Sequence, residues 1–191
     1  MDYSHAEGAY TTASGTHSHA EGYYTKTSGP YSHAEGFSTT ASRSCSHAEG
    51  ANTTASGNHS HTEGYYTKAT HKSQHVEGEY NIADTSTAKA DARGTYVHIV
   101  GNGTADDKRS NALTLTWGGD LWHSGRLSHG NSVSATGLGA YSGGSGTSAL
   151  GDYSHAEGIS ATAQGGASHS EGENTTTIGV ASHAEGHGSI A

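Results

Sequence analysis

Small residues alternate with polar ones along most of this chain, and nearly every such run is closed by glycine. Within a seven-residue unit, positions one and three are small (Ser4 and Ala6, Thr11 and Ala13, Ser18 and Ala20), while positions two and four are polar. A period of two sends positions one and three to one face of a short strand. Gly at position five permits the positive φ of a tight turn, and two further residues complete a corner. Two such units close one flattened coil of 14 residues. Stacked coils then pair in parallel, rising about 4.8 Å each. Small inward residues imply a thin, dry interior in which opposite strands nearly touch.

A period of seven also suggests a coiled coil, which needs large apolar residues at two heptad positions and good helix formers between them. Those slots here hold Ser, Thr, Ala and a recurring Gly, and Gly costs about 1 kcal/mol per helical position. The helix is excluded.

The pentapeptide SHAEG begins at Ser4, Ser18, Ser32 and Ser46, becomes SHTEG at Ser60 and QHVEG at Gln74, and returns at Ser154, Ser168 and Ser182. An echo runs seven residues out of step, from Thr11, Thr25, Thr39, Thr53 and Thr67 in the first block. Only Arg43 and His71 break the glycine series there. This internal repetition predicts an all-β chain in three parts. Residues 1–80 form a β-solenoid, 81–131 a connector with a small inserted β-hairpin subdomain, and 132–191 a second solenoid block.

The two strands of a coil differ on the outside. One carries His and Glu, the other Thr, Ser or Lys. Stacking would align His5, His19, His33, His47 and His61 in one column and Glu7, Glu21, Glu35, Glu49 and Glu63 in the next. Like charges about 5 Å apart repel unless partners or protonation relieve them. These ten residues, with Trp117 and Trp122, are therefore expected at an interface between chains, as a polar substitute for an apolar seam. Acid pH would loosen it as His gains charge. Two other readings are a solvated face and a metal ladder. The ladder would use His5, Glu7, His19, Glu21, His33 and Glu35 on Zn²⁺ or Ni²⁺. No third fixed ligand is expected within one chain, so no metal or other cofactor is assigned. Aromatics (Tyr10, Tyr23, Tyr24, Phe37, Tyr65, Tyr66, Tyr80) gather at one corner, against a neighbouring chain or as a glycan-binding strip.

The repeat stops at Glu79. YVHIV (Tyr96 to Val100) is β-rich, ALTLTW (Ala112 to Trp117) alternates, and Gly118-Gly119-Asp120 reads as a hairpin turn. With both tryptophans, Ile99, Val100, Leu113, Leu115, Leu121 and Leu127, this stretch is expected to bury a compact apolar cluster. GNGT (Gly101 to Thr104) lacks the helix and spacing of a phosphate loop. Asp106 and Asp107 are adjacent strand residues that point apart, which argues against an acidic catalytic pair. No Ser/His/Asp set stands out, and no enzyme activity is expected.

Composition narrows the partners. Only 30% of the 191 residues are apolar and 29 are Gly, too little for a large apolar core, which strict repetition explains better than disorder does. A net charge of −9 disfavours nucleic acid and anionic membranes. No apolar run is long enough for membrane insertion, and Met1 leads straight into the repeat without signal-peptide features. Cys45 is alone, so no intrachain disulfide forms.

The SxAxG pattern on 14-residue coils resembles the head repeats of YadA-like trimeric adhesins, over roughly 75 residues before residue 81 and 60 after 131. That resemblance implies a left-handed parallel β-roll and a homotrimer. SHAEG stands where the adhesins have more apolar units, and no membrane anchor follows. The stretch from Tyr96 to Gly125 resembles a segment of phage tail and neck-appendage proteins of the autoproteolytic (peptidase G2) type, which accompanies SHAEG repeats. No chaperone segment follows the last repeat, so the protease activity is not carried over. The expectation is a tail-fibre or adhesin-like shaft on a virion or extracellular surface. It would contact itself and a host glycan or protein. A self-cleaving appendage protein and a self-assembling filament are the alternatives.

Overall fold

The computed structural model describes residues 3–191, and among them there is no helix. The chain divides into two compact units, one ending at His123 and one running from Ser124 to Ala191. Each is a β-solenoid of stacked parallel strands.

In the first unit, the SHAEG segments form the strands His5–Ala9, His19–Tyr23, His33–Phe37, His47–Ala48, His61–Thr62 and His75–Glu79 of one sheet. Their register places His on His, Ala on Ala and Glu on Glu. The echo segments form a second sheet from Thr12–Ala13 to Lys68–Ala69. The second unit repeats the plan with a five-stranded sheet from Leu127–Asn131 to His183–Ala184 and a four-stranded one from Ser134–Ala135 to Thr176–Thr177.

The interrupted region differs from its expectation. Tyr96–Asn102 is the next rung of the first sheet, with His98 on His75, Ile99 on Val76, Val100 on Glu77 and Gly101 on Gly78. Asn111–Thr116 and Leu121–His123 then extend that sheet antiparallel, instead of building a separate subdomain. The second ladder starts at Leu127, before residue 132, and Leu127 pairs with Tyr141 at the usual 14-residue step. The compact apolar cluster is not formed. Ile99 is buried with Ala69 and Val76, while Leu121, Trp122 and Leu127 are exposed.

The interior is thin, as the small inward residues require. Ala20, Ala34 and Ala48 from one sheet and Ala41, Ala55 and Ala69 from the other are fully buried. Several buried hydroxyls satisfy one another, such as Thr62 with Thr67 at 2.7 Å and Ser142 with Thr147 at 2.8 Å. The serine that opens SHAEG closes the preceding turn: the Ser32, Ser60 and Ser168 hydroxyls each donate to the carbonyl three residues earlier, at 2.6 to 2.7 Å.

Where the second sheet ends at Lys68–Ala69, the inward side chains of the first sheet grow from Ala48 to Thr62, Val76 and Ile99. Val76 and Ile99 pack with Ala69 and fill the space beyond it, where the second sheet has no further strand. The buried Asn81 amide takes the place of the next strand: its Oδ1 accepts from Lys68 N at 2.8 Å, and its Nδ2 donates to Lys68 O at 3.2 Å. Buried Asp84 accepts from the backbone N–H groups of Ser86, Thr95 and Tyr96 and from the Gln74 amide. The connector is thus a fitted plug that satisfies backbone groups a strand would otherwise pair.

Corners correct one further expectation. Positive φ belongs to the glycine of the SHAEG unit, such as Gly36 at 101°, but not to that of the echo unit, such as Gly29. The echo glycine is needed for close approach instead, since a Cβ on Gly29 would lie 2.0 Å from the Arg43 carbonyl oxygen. In both units the seventh residue is left-handed whatever its identity. From Tyr10 to Tyr80 these residues have φ between 40 and 58°. From Tyr24 onward each is held by a bond to the preceding coil, as in Tyr24 N to Ala9 O and Tyr31 N to Thr16 O.

Candidate functional site: the histidine and glutamate columns

Parallel, in-register pairing turns one outward His per coil into a continuous stack. Imidazole rings from His5 through His19, His33, His47, His61 and His75 to His98 lie face to face at centroid distances of 4.7 to 5.0 Å. In the second unit His155, His169 and His183 stack in the same way, after Tyr141.

The glutamates form the adjacent column, and the imidazoles change partner along it. His19 leans on Glu21 of its own coil at 3.7 Å. His61, His75 and His98 lean on Glu49, Glu63 and Glu77 of the preceding coil at 3.6, 3.5 and 3.2 Å. Only the last of these first-unit contacts is a hydrogen bond. The Nε2 atoms of His19, His33, His47, His61, His75 and His169 are shielded from solvent and have no hydrogen-bond partner within the chain. His5 and Glu7 lie exposed at the column's end.

Stacked carboxylates resolve their repulsion by sharing protons. Hydrogen bonding to Glu35 and Glu63 pushes the Glu49 carboxyl up to about 7. The same bonds hold Glu35 and Glu63 below the usual carboxylate range. Burial, and then the neighbouring imidazoles, hold His47 and His61 below the ordinary histidine value. Beside the Glu column runs a column of bare glycine backbone. Together they line an open groove of about 710 Å³ from Glu7 to Gly64. A similar groove of about 750 Å³ runs along Glu157, Glu171 and Glu185.

The face changes chemistry at the end of the first sheet. Val100 occupies the Glu column and pairs with Leu113, while His98 pairs with Leu115, which pairs with Leu121. Cross-strand partners share a face, so the polar columns run into Val100, Leu113, Leu115 and Leu121. The sequence reading missed this patch because it treated these residues as core. Trp122 pairs with Thr114, the partner of Ile99, and so lies on the opposite face from the His column. Trp117 lies under the Arg93 guanidinium at 4.3 Å.

Metal-ligating groups come closer together than single strands allow. Coil stacking brings His5, Glu7 and His19 together, likewise Glu21, His33 and Glu35, then His47, Glu49 and His61, and in the second unit Glu171, His183 and Glu185. Within each set the ligand atoms lie within 4.8 Å of one another. The expectation that one chain lacks a third ligand is thus corrected: a neighbouring coil supplies it.

Asp106 is ion-paired with Arg109, and Asn102–Ser110 close a hydrogen-bonded turn. The aromatic corner holds three stacks, Tyr23 on Phe37 at 5.5 Å and Tyr10 on Tyr24 at 4.7 Å, both exposed, and Tyr66 on Tyr80 at 4.7 Å, half-buried. Sequence reasoning overlooked buried His71, which stands where the echo glycine fails. Its Nδ1 lies 2.9 Å from the Thr70 hydroxyl and 3.8 Å from Asp84, and its Nε2 lies 3.1 Å from the Ala88 carbonyl. A catalytic relay needs hydroxyl and carboxylate on opposite ring nitrogens. Here both face one nitrogen, and the group is a clamp.

The fold and this face define a β-solenoid repeat protein. Compared with known proteins, the chain matches no family model and no curated protein.

Proposed function

We propose that this chain is a non-enzymatic structural segment of a surface appendage, self-associating through its His/Glu face as a homotrimer of left-handed β-rolls. Its similarity to adhesin head repeats and phage appendage segments favours a shaft on a phage tail or an extracellular surface, rigid and multivalent toward host glycans or proteins. Three copies of each coil multiply weak contacts. The observation that carries the self-association is the outward face itself. Six imidazole nitrogens shielded without a hydrogen bond and an adjoining Val/Leu patch are features of a surface that meets another surface.

Sedimentation equilibrium at pH 7.5 tests this. The expected mass is three times 19.4 kDa, collapsing to one chain in Leu115→Glu while circular dichroism stays β-type. A parent chain that sediments as a monomer overturns the reading. Intact-mass spectrometry after expression separates it from the self-cleaving alternative, which would yield a shortened chain.

A further inference from the structure

We propose that the His/Glu columns bind divalent transition-metal ions of the zinc class, with His47, Glu49 and His61 forming the strongest site. The geometry needs one chain only. Ligands at 2.0–2.2 Å from a tetrahedral ion sit roughly 3.3–3.5 Å from one another. His61 Nε2 and Glu49 Oε1 are already 3.6 Å apart, and the whole set lies within 4.8 Å. Small side-chain rotations close the remainder.

Three features single out this site. The Nε2 atoms of both His47 and His61 are shielded from solvent with no hydrogen-bond partner, so an ion meets lone pairs whose desolvation folding has already imposed. The two rings stack at 4.7 Å with planes 4° apart, which holds them side by side and limits the entropy lost on ligation. All three residues are half-buried, whereas His5 and Glu7, and His183 and Glu185, are exposed. A His₂Glu set leaves a fourth position open and prefers zinc, nickel or copper to magnesium or calcium, which take oxygen ligands.

The first unit's sets share no residue and use alternating compositions: two His with one Glu, one His with two Glu, then two His with one Glu. The sets bridge the first and second, the second and third, and the fourth and fifth coils, so neighbouring ions would stand between one and two coils apart, roughly 5 to 10 Å at the strand spacing of a parallel sheet. Each has at least one carboxylate to offset its charge, so occupancy of one site does not exclude the next.

Calorimetric titration of the full chain with zinc chloride alone at pH 7.5 tests this, with light-scattering mass measured on the same sample. Saturable binding is expected. Glu49→Gln and His61→Gln should each weaken the tightest site roughly tenfold or more, with the β-type circular dichroism retained. Thr54→Ala, on the other sheet, should leave affinity unchanged. Cobalt substitution should give the visible bands of a four-coordinate ion. Absence of binding at millimolar zinc overturns the proposal. So does equal affinity for magnesium, or affinity unchanged in both ligand variants. The mass readout keeps a failed trimer distinct from a failed metal site, because a monomer that binds zinc still satisfies the inference.

Discussion

The two halves of each coil solve the same problem differently. Both must turn a corner over the backbone of the next coil, and both use glycine at the fifth position. In the SHAEG half that glycine combines positive φ with contact. Gly36 sits at φ 101°, and a Cβ there would meet the Gly50 carbonyl oxygen at 2.2 Å. In the echo half only the contact remains, as at Gly29. The sequence reflects the difference. The SHAEG glycine persists in every coil, whereas the echo glycine is replaced by Arg43 and His71. Two constraints make a residue obligatory, and one leaves it negotiable.

Substitution at these glycines should separate the halves most strongly. Gly36→Ala imposes both a strained φ and a backbone collision and should cost about 3 kcal/mol or more. Gly29→Ala meets only the collision and should cost about half as much, since Arg43 shows that the slot admits a side chain. Urea midpoints of the two variants check the order. Equal losses would break the distinction.

The interior gives the next largest effect. Ala48 and Ala55 face each other's sheets within one alanine cluster, and neither has room for a longer chain. Ala48→Leu should cost about 1–3 kcal/mol by overpacking. In the same column Val76 is accepted because it packs on Ala69 of the last strand of the second sheet, beyond which no further strand of that sheet follows. Val76→Ala should therefore destabilise by about 1–3 kcal/mol through the cavity it leaves. Opposite size changes would lower the thermal midpoint at two positions of one column.

Those positions also show how much of this was legible. Alternation with period two and the 14-residue step were enough for parallel coils, the inward alanines and the in-register His and Glu columns. The rung at Tyr96–Asn102 was hidden. His98, Ile99, Val100 and Gly101 keep the SHAEG order of roles, but larger apolar side chains replace Ala and Glu, and 23 residues separate His98 from His75. Leu127–Asn131 was hidden likewise, with Leu in the His slot and His129 in the Glu slot. The third metal ligand escaped because it comes from stacking, which sets distances between coils that no single strand reveals. The left-handed seventh position escaped because Tyr, His, Ser, Cys and Asn fill it indifferently. Only Gly139, Gly146 and Gly188 betray it.

The outward faces should part company on acidification. His47 and His61 have depressed values in the fold, so as pH falls below 6.5 the unfolded chain takes protons first and stability is lost. Glu49, raised to about 7, works the other way: the folded chain takes its proton first, and stability is gained from about pH 7 down to the unfolded value. The two effects oppose, and the parent should show a shallow pH dependence. Glu49→Gln removes the compensating group. Its thermal midpoint should fall more steeply than the parent's between pH 7 and pH 5, by a difference of about 1 kcal/mol or less, given partial exposure. An unchanged slope would mean that the carboxyl ladder does not share protons.

The smallest effect belongs to glycine substitution at the corners, where the halves become equivalent. Ser38 ends a SHAEG unit at φ 56° and Cys45 ends an echo unit at φ 52°. Each donates its N–H to the preceding coil, Ser38 to Tyr23 and Cys45 to Pro30. A residue without glycine's freedom pays about 1 kcal/mol for this conformation. Glycine would relieve that cost but also gain entropy in the unfolded chain. The two terms nearly cancel, so Ser38→Gly and Cys45→Gly should each shift stability by only a few tenths of a kcal/mol, and by the same amount. Ser38→Val and Cys45→Val, β-branched in the left-handed region, should both cost more than 1 kcal/mol. If the valine penalty appeared in one half alone, the shared corner geometry would not be what sets tolerance there. Differences in outward packing, such as the aromatic stacks beside the SHAEG corner, would have to be responsible.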